Sequence, residues 1–257
     1  MTLRDLPPLF RNHPSLPGLV GTSQAVIAVP EAARAVTVAG LAHLSARHPI
    51  VVAVPTTPDA ERMAHDLGAF LGPGSAEVFP AWETLPFERV SPNVETMGRR
   101  LRVLWRLHGP ERPSERGGSP GRAARVIVAP VRALLQRLGP HVGDVEPIVV
   151  RAGDVVDPID LVARLVSVGY RKEYVVEHRG EVARRGSIVD VFPSTADVPV
   201  RIDLWGDEVD RLSEFSVTDQ RSTEALERAE IFPCREVLPT PEVRARAAAL
   251  VGAEPWG

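Results

Sequence analysis

Residues 200–215 read Val-Arg-Ile-Asp-Leu-Trp-Gly-Asp-Glu-Val-Asp-Arg-Leu-Ser-Glu-Phe. In Val200–Trp205 every second residue is apolar, the period of a half-buried β-strand. Gly206-Asp207 punctuates the run as a hairpin turn would, and Glu208–Phe215 continues as a second short segment. On this pattern Val200, Ile202 and Leu204 face a core. Arg201, Asp203 and Trp205 share the opposite, solvent-side face. A Trp beside an Arg on such a face is a common anchor pair for a protein partner. A plainer arrangement fits the same pattern, with Trp205 covering an adjacent helix and Arg201 paired to Asp203.

Upstream, the same style continues. Tyr174–His178, Glu181–Arg184 and Ser187–Phe192 are short segments, with Gly180 and Gly186 between them. Arg179, Arg184 and Arg185 on these segments are candidates to join Arg201 and Trp205. A helix is expected over Pro158–Val168, after a short strand at Ile148–Val150. The region from Pro147 onward therefore reads as a small, mostly antiparallel α+β domain.

Before Pro147 the pattern differs. Ala25–Val29 (AVIAV) and Ile50–Val54 (IVVAV) are apolar runs of the buried-strand type, and Glu77–Phe79 starts a third strand. Helices are expected at Glu31–Arg47 and Asp59–Leu71, giving strand, helix, strand, helix, strand. That alternation predicts an α/β domain with a parallel sheet. Further helices are expected at Glu95–Leu107 and Arg132–Leu138, and a strand at Val126–Ala129. Gly109–Arg125 reads as a flexible loop. A last helix at Pro241–Leu250 leads into a tail that closes no obvious unit, as in a piece of a longer chain.

Composition narrows the chemistry. The 257 residues carry a net charge of −3, so there is no global basic field for nucleic acid. A single cysteine, Cys234, excludes an internal disulfide and a cysteine-cluster metal site. No apolar run approaches the ~18 residues of a membrane span, and the first residues lack the apolar stretch of a signal peptide. A cytoplasmic protein is the expectation. Lys172 is the only lysine, so a phosphate-cradling lysine could come from nowhere else.

A P-loop needs glycines, a Lys and a Ser or Thr together. The turn after Val29 is Pro30-Glu31-Ala32-Ala33-Arg34, and Gly18–Thr22 also lacks the Gly-Lys core. Nucleotide hydrolysis is therefore not expected, nor is any cofactor. Gly117–Gly121 matches G-x-S-x-G but lies inside the expected loop, without the strand and helix that a nucleophile elbow requires. The seven histidines form no metal-binding pair. Arg99, Arg100, Arg102 and Arg106, with Arg112, Arg116, Arg122 and Arg125, form the one basic concentration. A nucleic-acid-binding module built on Arg99–Arg125 is the alternative function, set against a solvated helix face followed by a loop. No aromatics interleave with the loop arginines to stack on bases.

Three stretches carry a family resemblance: Phe79-Pro80-Ala81-Trp82-Glu83-Thr84-Leu85-Pro86, Val182–Pro193 (VARRGSIVDVFP), and Arg201–Asp210 followed by Asp219-Gln220-Arg221-Ser222. In order and spacing they resemble the N-terminal, UvrB-homology region of bacterial transcription-repair coupling factors, over roughly residues 25–245. The resemblance implies a UvrB-like domain 1a with a degenerate P-loop-like core over 1–146, a UvrB-like domain 2 over 147–234, and the start of domain 1b over 235–257. It implies a non-catalytic adaptor of nucleotide excision repair that docks the excinuclease subunit UvrA through domain 2. RNA polymerase and DNA would be met by other domains of the full protein, which is expected to be an ATP-driven translocase. The family's contact positions correspond to Arg185, Arg201 and Trp205, with Arg179 and Asp203 as neighbours. Trp205 stands where some members have Phe. The aromatic hairpin with which UvrB probes DNA has no counterpart, since Tyr170 and Tyr174 are the only tyrosines.

Overall fold

The computed structural model describes residues 2–13, 16–85, 88, 90–107, 124–139, 142–144 and 146–253. The chain divides into two compact units, residues 1–91 with 102–138, and residues 92–101 with 139–257. Among the described residues no helix is long and apolar enough to cross a membrane.

The first unit opens with the short helix α1 (Leu6–Leu9) and continues through α2 (Arg34–Leu44), β1 (Ile50–Val54), α3 (Thr57–Leu71) and β2 (Ala76–Val78). Thr56 caps α3 by accepting from the Asp59 amide at 3.3 Å, and Pro58 sits in the first turn. Helix α4 (Val94–Leu107) belongs to the second unit over its first residues and to the first unit from Arg102. β3 (Val126–Pro130) and α5 (Val131–Leu135) complete this unit.

The three strands form a parallel sheet in the order β1-β3-β2. β3 is central and buried throughout, as a β-branched run in a parallel sheet should be. Val126 and Val128 pack with Val54, Val78, Ala39, Ala42, Ala60 and Leu67. On the opposite face Glu77, buried, takes charge-assisted bonds from Arg102 (3.0 Å) and from Arg106.

The expected strand at Ala25–Val29 does not form. The segment has no regular structure and joins no sheet, and Val26 is almost fully exposed. A short apolar run sets a preference for extended backbone, but only a neighbouring strand turns that into a ladder. The parallel sheet therefore starts at Ile50.

The second unit contains β4 (Ile148–Arg151), α6 (Pro158–Ser167), β5 (Arg171–Lys172), β6 (Glu181–Arg185), β7 (Ile188–Val191), β8 (Val200–Trp205), β9 (Glu208–Phe215), β10 (Ser222–Leu226), β11 (Arg228–Ile231) and α7 (Pro241–Ala253). Its main sheet runs β10-β9-β8-β7-β6-β5, antiparallel except for β5 with β6; β4 and β11 pair separately. Asp157 caps α6 by accepting from the amides of Ile159 and Asp160. The Tyr174–His178 strand expected from sequence is instead an irregular crossing segment, and the strands at 222–231 were not legible in that polar stretch.

One face of the sheet carries the main core. Val182, Val189, Val191, Val200, Ile202, Leu204, Val209 and Leu212 pack with Leu161, Val162 and Leu165 of α6. Part of the other face is covered as well, by a smaller cluster of Val176, Ala183, Phe192 and Phe215. At the base, the Tyr170 hydroxyl donates to the Phe232 carbonyl at 2.8 Å and accepts from the Ser194 amide at 3.0 Å.

The Ser194 side chain is pinned there, bonded to Phe232 O at 2.9 Å. A Cβ at Gly98 would meet Ser194 Oγ and lie 2.6 Å from its Cβ. Alanine is the better helix former by about 1 kcal/mol, but overpacking against an immobile neighbour costs roughly 1–3 kcal/mol. Gly98→Ala is therefore expected to lower stability in urea unfolding, and a stabilised variant would contradict this packing. Cys234 is buried, and burial pushes its thiol up to about 12. It should resist thiol reagents at pH 8 in the native chain and react on unfolding. Because the unfolded thiol ionises near 9 and the folded one does not, this group's contribution to stability is lost as pH rises from about 9 to about 12.

Candidate functional site

The register of the second unit's sheet arranges the candidate residues. Strands β6 and β8 run the same way, so the β6–β7 and β8–β9 turns lie at the same end of the sheet. Each turn has two central residues, Gly186-Ser187 and Gly206-Asp207, with a left-handed glycine first (φ +64° and +66°). That is the geometry glycine supplies for tight hairpins whose twist matches the strands. Arg185 and Trp205 are the last strand residues before these turns.

Cross-strand neighbours share a face, so three rows can be read off one side of the sheet. The first is Ala183, Asp190, Arg201 and Ser213, all buried. The second is Arg185, Ile188, Asp203 and Arg211, and it is partly open to solvent. The third holds Trp205 opposite Glu208, with Val155 bridging Glu208 from the other side. Trp205 is 83% exposed and Val155 is 74% exposed. Strand spacing puts the Arg185 and Trp205 backbones about 12 Å apart, two strands over and two residues along.

The five predicted residues thus divide. Trp205 stands free at the exposed end. Arg185 is half-exposed and donates to Asp190 Oδ2 at 2.6 Å. Asp203 pairs with Arg211 at 3.3 Å, not with Arg201.

Arg201 does not lie on a solvent-side surface. It is buried, with Nε and one Nη on the two Asp190 oxygens at 2.7 and 2.9 Å, and the other Nη on the Gln220 carbonyl at 2.9 Å. Its guanidinium lies over the Phe215 ring, 4.7 Å from the centroid. The Asp190 carboxylate holds it even more firmly protonated than usual. Alternation assigned its side of the strand correctly; the cover came from Phe215 and the 216–221 segment.

Arg179 sits in a different setting. Its partners are Glu95 and Asp197, each at 2.7 Å, and the Ala196 carbonyl, not Asp190.

The reading from sequence missed Asp190, Gln220, Ile188 and Arg211. Asp190 was detectable: an aspartate between Val189 and Val191 in a strand destined for burial needs a cationic partner. Gln220, in the left-handed region at φ +59°, gave no comparable signal.

Among the described residues, the arginines of the basic concentration at Arg99–Arg125 are held by internal partners. Arg99 faces Glu95, Arg100 is fully buried on Glu236 at 2.5 Å, and Arg102 and Arg106 hold Glu77. Arg125 donates to the Ala42 carbonyl. Arg112, Arg116 and Arg122, and the G-x-S-x-G match, lie outside the described residues. Among the described residues no cluster of His, Cys, Asp or Glu could hold a metal ion.

Comparison with known proteins gives this face a context. Residues 148–236 match the UvrB interaction domain family. The chain is 41% identical over 229 residues to the transcription-repair-coupling factor of Mycobacterium tuberculosis, covering 88% of this chain and 18% of that protein. It is 33% identical over 216 residues to the Bacillus subtilis transcription-repair-coupling factor, covering 84% and 17% respectively. For the Escherichia coli protein the identity is 32% over 200 residues, covering 76% and 16%. The chain therefore spans less than a fifth of the length of these relatives. Residues 148–236 match a UvrB interaction domain, and most of the chain is homologous to one part of the transcription-repair-coupling factors.

Proposed function

We propose that this chain is a non-catalytic adaptor of transcription-coupled nucleotide excision repair, and that it recruits UvrA by presenting a UvrB-like surface on its second unit. The observation that carries the reading is the placement of Trp205 and Arg185 on one face and at one end of the sheet, inside the segment matching the UvrB interaction domain. An exposed tryptophan offers a large apolar anchor, and arginines beside it make charge-assisted bonds to partner carboxylates. Ile188, Arg211 and the Asp203–Arg211 pair extend the contact face between them. On this reading residues 1–146 act as a UvrB-like domain 1a, residues 147–234 as domain 2, and residues 235–257 begin domain 1b. Contacts to RNA polymerase and DNA, and ATP-driven translocation, belong to the remainder of the longer proteins.

The test is equilibrium binding of the purified chain to UvrA. Saturable binding that competes with UvrB supports the reading. A well-folded chain that does not bind UvrA overturns it. Tight duplex-DNA binding with a steep salt dependence would favour a phosphate-contacting module instead.

A further inference from the structure

We infer that Asp190 is the positioning residue of the docking face, a single buried carboxylate that orders both Arg201 and Arg185 and so fixes where Arg185 meets a partner. The inference rests on the UvrA-docking reading above. Asp190 is 1% exposed and sits in the buried row, one row inward from Arg185. Arg201 engages it with two nitrogens, at 2.7 and 2.9 Å, and Arg185 adds a third bond to Oδ2 at 2.6 Å.

The two arginines are not equivalent. Arg201 is buried away from any partner: its second Nη is on the Gln220 carbonyl, and its flat face lies over Phe215. Arg185 spends one nitrogen on Asp190, the same nitrogen reaching Gln220 Oε1 more loosely at 3.5 Å, and keeps 43% of its side chain in solvent. Two guanidinium groups on one carboxylate leave one unit of positive charge in excess, and the geometry delivers that charge to the surface through Arg185. A free arginine would lose rotamer freedom on binding; one already tethered has less to lose.

Gln220 locks the arrangement from the other side. Its Nε2 donates to the Val217 and Val176 carbonyls at 2.9 and 3.3 Å, holding the left-handed turn whose carbonyl caps Arg201.

The experiment is a mutant cycle on UvrA affinity. Asp190→Asn strands Arg201 in the interior and can unfold the unit, so the principal variant replaces the buried pair together, Asp190→Leu with Arg201→Met. Apolar replacement of a whole buried pair usually preserves folding. UvrA affinity is expected to fall about tenfold, the coupling typical of one ion-pair network. The fall should vanish when Arg185 is already alanine, whereas the loss from Trp205→Ala should be the same in both backgrounds. Undiminished affinity, or a fall that persists without Arg185, overturns the inference while leaving UvrA docking in place. Failure of the wild-type chain to bind UvrA overturns the docking reading itself. The tether is read separately by nitrogen-15 NMR of the wild-type guanidinium groups. Slow rotation at Arg185 supports it, and free rotation refutes it whatever UvrA does.

Discussion

Trp205→Ala is expected to weaken UvrA binding by at least about 30-fold, or roughly 2 kcal/mol, the scale of a central interface anchor. The same variant should leave the melting temperature nearly unchanged. Trp205 is 83% exposed and belongs to neither of the two core clusters described above for its unit's sheet, and surface substitutions of that kind usually shift stability by about 0.5 kcal/mol or less. Its backbone place is set by the Gly206-Asp207 turn and by pairing with Glu208, neither of which needs the indole. Calorimetric titration beside a thermal melt separates the two effects. Unaltered affinity in the folded variant would remove Trp205 from the interface. Phenylalanine at 205 should retain much of the affinity, since it keeps an aromatic anchor at the same site.

The second large effect concerns folding. Arg201→Glu should unfold the second unit or lower its melting temperature by about 10 °C or more. Breaking a buried pair costs roughly 3–5 kcal/mol, a large part of the 5–15 kcal/mol that holds a typical domain together, and each kcal/mol moves a small domain's midpoint by about 4–8 °C. Here the substitution also sets a second carboxylate against Asp190, which is 1% exposed, and strips the cover from Phe215. A melt followed by circular dichroism measures this, and a wild-type midpoint would show that the pair is dispensable. The consequence for function is direct. Loss of UvrA binding in Arg201→Glu reports a damaged sheet before it reports a lost contact, so Trp205 and Arg185 are the positions that test the surface.

The α/β character of the first unit was legible because its helices alternate with β-branched runs, and Ile50–Val54 and Val126–Pro130 do form neighbouring parallel strands. Ala25–Val29 carried the same local signal and paired with nothing. Strand formation is a property of two segments, and a one-dimensional pattern reports only one of them. In the second unit, β8 and β9 were legible because one face is apolar and the turn between them is marked by glycine. The strands over Ser222–Ile231 were not. The stretch is polar and acidic and β10 is exposed, so no strand alternation stands out, and the pairing comes from β9 and from the distant β4.

Alternation assigns side chains to faces, and it placed Arg201, Asp203 and Trp205 together on one side of β8. Glycine-marked hairpins then set Arg185 and Trp205 at strand ends. Those assignments follow from backbone geometry, which repeats every two residues whatever surrounds the strand. Whether a face meets water is a different quantity, because the covering groups arrive from elsewhere in the chain. Val176 and Phe215 close over the row that holds Arg201, the Gln220 turn caps it, and Asp190 reaches it from the adjacent strand. One end of a single face is thereby sealed around an ion pair, while the other leaves Trp205 in solvent. The covering residues are separated from Arg201 by up to 25 positions, and only the folded chain brings them to one arginine and withholds them from the tryptophan four residues away.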